Sequence, residues 1–194
     1  MKHLALTVIR EEHAALAAML RSLPMLLGEY RRHGREPDFS VLRAMLFYVD
    51  EFPERLHHTK ESTLLFPALR AHGDDALEVL DRLERDHVRG EASIRELEHA
   101  LLAWEVLGEP RRQGFEQAVT RYVDFYLEHM RLEETVILPL AEKQLSEAEW
   151  KALDEAFAAN RDPLTGHDPD DVYKPLFRQI VMKAPAPVGL GAAV

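Results

Sequence analysis

Residues 57–67, His57-His58-Thr59-Lys60-Glu61-Ser62-Thr63-Leu64-Leu65-Phe66-Pro67, have a counterpart in residues 129–139, His129-Met130-Arg131-Leu132-Glu133-Glu134-Thr135-Val136-Ile137-Leu138-Pro139. His57 and His129, Glu61 and Glu133, and Pro67 and Pro139 each stand 72 positions apart. A lone histidine in similar surroundings precedes each copy, in Arg10-Glu11-Glu12-His13 and in Glu84-Arg85-Asp86-His87. The pattern reads as a duplicated helix pair, each half contributing one single histidine and one His-x-x-x-Glu. Side chains four apart on a helix share a face, with Cβ atoms about 5–6 Å apart. His57 with Glu61 therefore reaches one interior point, and His129 with Glu133 another. One such pair is common on any charged helix; two in the same frame are a signal.

Working outward, apolar residues recur at intervals of three and four, glycine is scarce and β-branched runs are short, so the chain reads as nearly all helix. The first helix is predicted from about Leu4 to Arg32, with Pro24 as a kink point, and the second from about Phe39 to Ala71, bent or interrupted at Pro53 and Pro67. The third runs from about Asp74 to Leu107 and the fourth from about Arg111 to Gln144, with Gly73 and Gly108 as stops. Ser146 and Glu149 form a capping-box pattern for a shorter fifth helix to about Asn160. Short turns between long helices predict an up-down-up-down four-helix bundle over residues 1–145. Residues 146–194 then read as a short helix followed by an extended C-terminal arm, rich in Ala, Pro and Gly from Ala184 onward.

The histidines share one level of that bundle. His13 lies 20 residues before His33 and His57 lies 18 after Phe39; His57 and His72 are 15 apart, Asp74 and His87 13. His87 and Leu107 are 20 apart, Arg111 and His129 18. At 1.5 Å of rise per residue each mismatch is about 3 Å. Each histidine also sits on an apolar stripe: Leu6, Ile9, Leu16 and Leu20 around His13; Leu80, Leu83, Ile94 and Leu101 around His87; Tyr122, Tyr126, Val136 and Leu140 around His129. Any one of them alone reads as a hydrogen-bonded core residue. Four inward imidazoles and two inward carboxylates at one depth are costly without a counter-ion, and a metal pair removes the cost. The expected grouping is His13 with His57 on one ion, His87 with His129 on the other, and Glu61 and Glu133 bridging. Imidazole and carboxylate donors without thiolate suit iron with open positions, with zinc or manganese as substitutes. A ferritin-like reading, using Glu54-x-x-His57 and Glu84-x-x-His87, leaves His13 and His129 without a role.

Composition narrows the remaining classes. The 194 residues are 46% hydrophobic and 30% charged, the balance of an ordinary globular chain. A net charge of −10 argues against a nucleic-acid partner. Without cysteine there are no disulfides, iron–sulfur ligands or thiol nucleophiles. The N-terminal Met1-Lys2-His3-Leu4-Ala5-Leu6-Thr7-Val8-Ile9-Arg10 is too short in apolar residues for a signal core, and no apolar run approaches the roughly 18 residues of a membrane span. The expected location is the cytoplasm, away from the membrane.

The order His, His-x-x-x-Glu, His, His-x-x-x-Glu, with the Leu-Phe-Pro-like endings, resembles the hemerythrin-like (HHE) cation-binding domain over roughly residues 1–145. The resemblance implies two non-haem iron ions and a small ligand: oxygen, nitric oxide or peroxide, bound for sensing, storage or detoxification. It equally admits a di-iron enzyme or an iron-delivery protein, acting in ferrous iron oxidation or in repair of iron centres. A metal-stabilised structural or partner-binding bundle is the third reading. Oxygen-carrying members place a fifth histidine one turn after the third-helix ligand, where this chain has Glu91, a candidate third carboxylate. The cysteine-bearing module of some repair proteins is absent. Glu134 competes with Glu133 as ligand, although the repeat register favours Glu133. His58, rotated by about 100° from His57, is expected to pack between helices or to bond behind a ligand, as is Tyr126.

Overall fold

The computed structural model describes residues 3–160, 162–168, 171–183 and 190, and every regular element among them is helical. Helix α1 spans Leu4–Arg32 and runs through Pro24. Helix α2 covers residues 39–72, α3 is Leu77–Leu107, and α4 covers residues 112–144. Helix α5 is Glu147–Ala158 and α6 is Lys174–Lys183. The long helices form a bundle: α1 packs against α2 and α4, and α3 against α2 and α4, while α5 lies on α1 and α6 on α2.

Local chemistry sets the ends. Asp38 caps α2 by accepting from the Ser40 backbone N–H at 2.9 Å. Gly108 ends α3 at φ 79°, a left-handed conformation that a side chain disfavours. Ser146 and Glu149 form the expected capping box, the Glu149 carboxylate accepting from the Ser146 N–H at 2.8 Å. Residues 174–183, to which the sequence reading assigned no helix, form helix α6, because Phe177 and Ile180, one turn apart, are buried against α2. Phe177 packs at 5.8 Å from Tyr48 and 5.6 Å from Phe52, ring centre to ring centre. Most of the Ala/Pro/Gly run from Ala184 lies outside the described residues.

The interruptions expected at the prolines are π turns. In Glu61–Leu65 and again in Glu133–Ile137 the helix widens, and the Phe66 and Leu138 N–H groups donate five residues back, to the carbonyls of Glu61 and Glu133. Pro67 and Pro139 explain the position: neither has an N–H for the carbonyl four residues earlier, and each ring crowds that carbonyl. A third wide turn, Asp50–His57, holds Pro53 and closes with the His58 N–H on the Pro53 carbonyl. All three flank the residues singled out in the sequence.

The apolar interior is divided in two. One cluster gathers Leu16–Tyr30 side chains of α1 with Leu46, Ile94, Trp104 and Phe115. The other gathers Leu6 and Ile9 with Phe66, Leu83, Ile137 and Phe157. Between them lies a layer of buried His13, His57, His58, Glu61, His87, His129 and Glu133. No described helix is long and apolar enough to cross a membrane.

Candidate metal centre

The four long helices bring five imidazoles into the layer, His13 from α1, His57 and His58 from α2, His87 from α3 and His129 from α4, and α2 and α4 add the carboxylates Glu61 and Glu133. The His57 Nε2 lies 3.1 Å from Glu61 Oε1, and His129 Nε2 lies 3.3 Å from Glu133 Oε1, as the four-residue spacing requires. Contacts across helices join the two halves. His13 Nε2 is 3.1 Å from Glu133 Oε2, His87 Nε2 is 3.5 Å from Glu61 Oε2 and 3.8 Å from Glu133 Oε1. His87 and His129 face each other, Nε2 to Nε2, at 3.2 Å. Two groups of donor atoms result, each within 4.8 Å of one another: His13, His57, Glu61 and Glu133; and His58, Glu61, His87 and His129.

The outer nitrogens face a second ring of side chains. Glu134 Oε1 stands 3.1 Å from His13 Nδ1, Glu12 Oε2 stands 2.7 Å from His57 Nδ1, and Ser62 Oγ stands 2.8 Å from His87 Nδ1. Glu54 Oε2 lies 3.2 Å from His58 Nδ1, and Asp86 Oδ2 lies 3.7 Å from His129 Nδ1. An imidazole that donates Nδ1–H outward presents the Nε2 lone pair inward, the arrangement that orients histidine ligands in metal sites. Glu12 itself accepts from Asn160 at 3.0 Å, and Glu54 accepts from the Tyr122 hydroxyl at 2.8 Å and from the Tyr126 hydroxyl.

The electrostatics follow from placing these groups out of water. Burial alone would lower each imidazole pKa, but the carboxylates outweigh it. His57 is held well above its ordinary value by Glu61 and Glu12, and His129 is raised to about 10 by Glu133, Asp86 and Glu61. His13 and His87 are raised in the same way, His13 by Glu133 and Glu134 and His87 by Glu133 and Glu61. Glu133 resists the upward push of burial because His129 faces it, and falls well below the carboxylate range. His58 differs: burial and the neighbouring His87 and His129 push it well below its ordinary value, so it is neutral.

Other expected residues have other places. Glu91, the candidate third carboxylate, is exposed and pairs with Arg95 at 3.4 Å. Glu134 lies outside Glu133 and contacts His13 Nδ1. Tyr126 touches Glu54, and Glu84, the second carboxylate of the ferritin-like reading, is bonded to Arg70 at 3.1 Å. Glu12, Ser62 and Asp86 were not singled out in the sequence, while Glu54 entered only through the ferritin-like reading and Tyr122 only as a residue of the apolar stripe. A signal existed for two of them, since Glu12 and Asp86 each immediately precede a lone histidine.

Access differs on the two sides. Beside His13 and His57 is a cavity of about 10 Å³ lined by Leu16, Phe52, Leu56, Asn160 and Asp162, room for about one water. Beside His58 and His87 a cleft of about 370 Å³ opens between α2 and α3, lined by Glu54, Thr59, Ser62, Glu84 and Glu91.

Whether the layer fits a metal pair is decided by atoms without partners. His13 Nε2, His57 Nε2 and all four oxygens of Glu61 and Glu133 are buried without an aligned hydrogen bond, although close neighbours surround them. His13 Nε2 and His57 Nε2, each 3.1 Å from one of these carboxylates, and the carboxylates themselves converge without aligned bonds, while His87 Nε2 and His129 Nε2 have only each other, and such a donor set could hold metal ions. No curated protein matches the chain. The family model for the hemerythrin HHE cation-binding domain matches residues 4–141, and the chain belongs to that family.

Proposed function

We propose that the chain holds two non-haem iron ions and binds a small ligand there, oxygen, nitric oxide or peroxide, for sensing, storage or detoxification. His13 and His57 would hold one ion, His87 and His129 the other, with Glu61 and Glu133 between them. The observation that carries this reading is the set of buried, unpartnered donor atoms backed by outward-bonded Nδ1 atoms. Zinc or manganese accepts the same donors; open positions and the absence of thiolates favour iron. The reading further takes α1–α4 as an up-down-up-down bundle over residues 1–145, residues 146–194 as an appended segment, and the cytoplasm as the location. The end of the family match at residue 141 supports that division.

Iron bound in such a set supplies reversible one-electron chemistry and a Lewis-acidic open position. The chain's own residues do the rest. Glu12 fixes the His57 ring, Glu134 fixes His13, and Ser62 fixes His87. Leu16, Phe52 and Leu56 keep the space beside His13 and His57 small, with room for a molecule about the size of one water. The cleft at His58 and His87 favours a second reading, an enzyme or iron-delivery protein, because it offers a wider route to the same layer.

Metal analysis of the purified chain, joined to absorption spectra of the reduced protein before and after oxygen or nitric oxide, tests the proposal. Two irons per chain and new charge-transfer or nitrosyl bands are expected. A metal-bearing but spectrally silent protein would leave only the structural reading, and turnover of a defined substrate would favour the enzyme.

A further inference from the structure

We propose that His58 is a ligand too, so that the two metal positions are unequal, with His13 and His57 at one and His58, His87 and His129 at the other. This rests on the metal-pair reading and deepens it. Neighbours on a regular helix diverge by about 100°, and His57 and His58 should not both face the interior. Both are buried, His57 at the end of the wide turn Asp50–His57 and His58 closing it with its N–H on the Pro53 carbonyl. The His58 ring has a donor atom within 4.8 Å of donors from Glu61, His87 and His129.

Its orientation is built by three helices. Glu54 Oε2 takes His58 Nδ1 at 3.2 Å, which leaves Nε2 as the coordinating atom. The other oxygen of Glu54 is fixed by the Tyr122 hydroxyl at 2.8 Å and by that of Tyr126. Gly90 of α3 makes this clamp fit: a Cβ there would overlap the Tyr126 hydroxyl and approach Glu54 Oε1 to 2.9 Å. A buried carboxylate with both oxygens committed to one imidazole and two phenols has more structure than a packing histidine needs.

The test uses the full chain stripped of metal and reloaded with cobalt(II), read by proton NMR. Each imidazole bound through Nε2 gives one exchangeable, strongly shifted Nδ1–H signal. Five are expected, and His58→Gln should remove one. In chelator competition the same variant should weaken the tighter cobalt phase on the order of tenfold or more, and Tyr126→Phe should weaken it less. Four shifted signals in the unaltered protein, or five that persist in His58→Gln, would overturn the assignment while leaving the metal pair intact. No cobalt uptake at all would overturn both. The count in the unaltered protein decides the matter even if a variant fails to fold.

Discussion

The two halves of the layer, one built from residues 12–62 and the other from residues 86–134, are alike in their ligands and unlike in what surrounds them. Glu12 backs His57 and Asp86 backs His129, each carboxylate preceding the lone histidine of its half. Ser62 backs His87 and Glu134 backs His13, each following a central glutamate and reaching into the other half. The duplication therefore carries the outer partners as well as the inner donors. It breaks at His58, which answers to Met130, and at Glu54, which answers to Tyr126. It breaks again at the covering: Phe157, Asn160 and Asp162 close the His13–His57 side, whereas the His58–His87 side meets a cleft. The repeat places the centre, and the departures from it distinguish its two sides.

The comparison breaks first at the inner donors. His57→Ala and His129→Ala should each abolish most metal binding, while His72→Ala, whose ring bonds Glu149 outside the bundle, should leave metal content unchanged. Elemental analysis reads the result, and equal retention in all three would refute His57 and His129 as inner donors. The outer carboxylates sharpen it. Glu12→Gln should lower affinity roughly 10- to 100-fold, and Asp86→Asn less, because Asp86 stands 3.7 Å from its imidazole against 2.7 Å for Glu12. Chelator competition giving the reverse order would contradict this account of orientation.

Titration separates the metal-free from the loaded protein. His57 and His129 are raised in the folded chain, His129 to about 10, from about 6.5 when unfolded. Their contribution to stability is fully present below pH 6.5 and is lost as pH rises through the folded values. Stripped protein should therefore lose urea resistance from about pH 7 to pH 10, and the loaded protein, whose imidazoles are already deprotonated, should lose less. Identical slopes would show that the charges are not coupled through this layer. The smallest effect concerns the covering. Ser146→Ala removes the cap of α5 and should cost about 1 kcal/mol in denaturant unfolding, with metal content unchanged.

The inner donors were legible because their chemistry is local. His-x-x-x-Glu in two equal frames fixes a face, and distances from the turns fix a depth. What the sequence hid was non-local or irregular. Pro53 and Pro67 announced a disturbance of α2, but not that the backbone would answer with π turns that bring His58 inside. Glu54 looked like a ferritin-type partner of His57; only the approach of Tyr122 and Tyr126 from α4, across Gly90, commits it to His58. Glu91 stands on an exposed part of α3, pairing with Arg95 and lining the cleft beside His58 and His87, a placement its helical position alone does not give. Helix α6 was missed because its burial depends on Tyr48 and Phe52, far away in sequence.

Diffraction from crystals of the iron-loaded chain, recorded at the iron absorption edge, bears on the central claim most directly. The account predicts two anomalous peaks inside the bundle, one against His13 and His57 and the other against His87 and His129, with Glu61 and Glu133 touching both. A single peak, or peaks at surface carboxylates with the interior bare of metal, would contradict it.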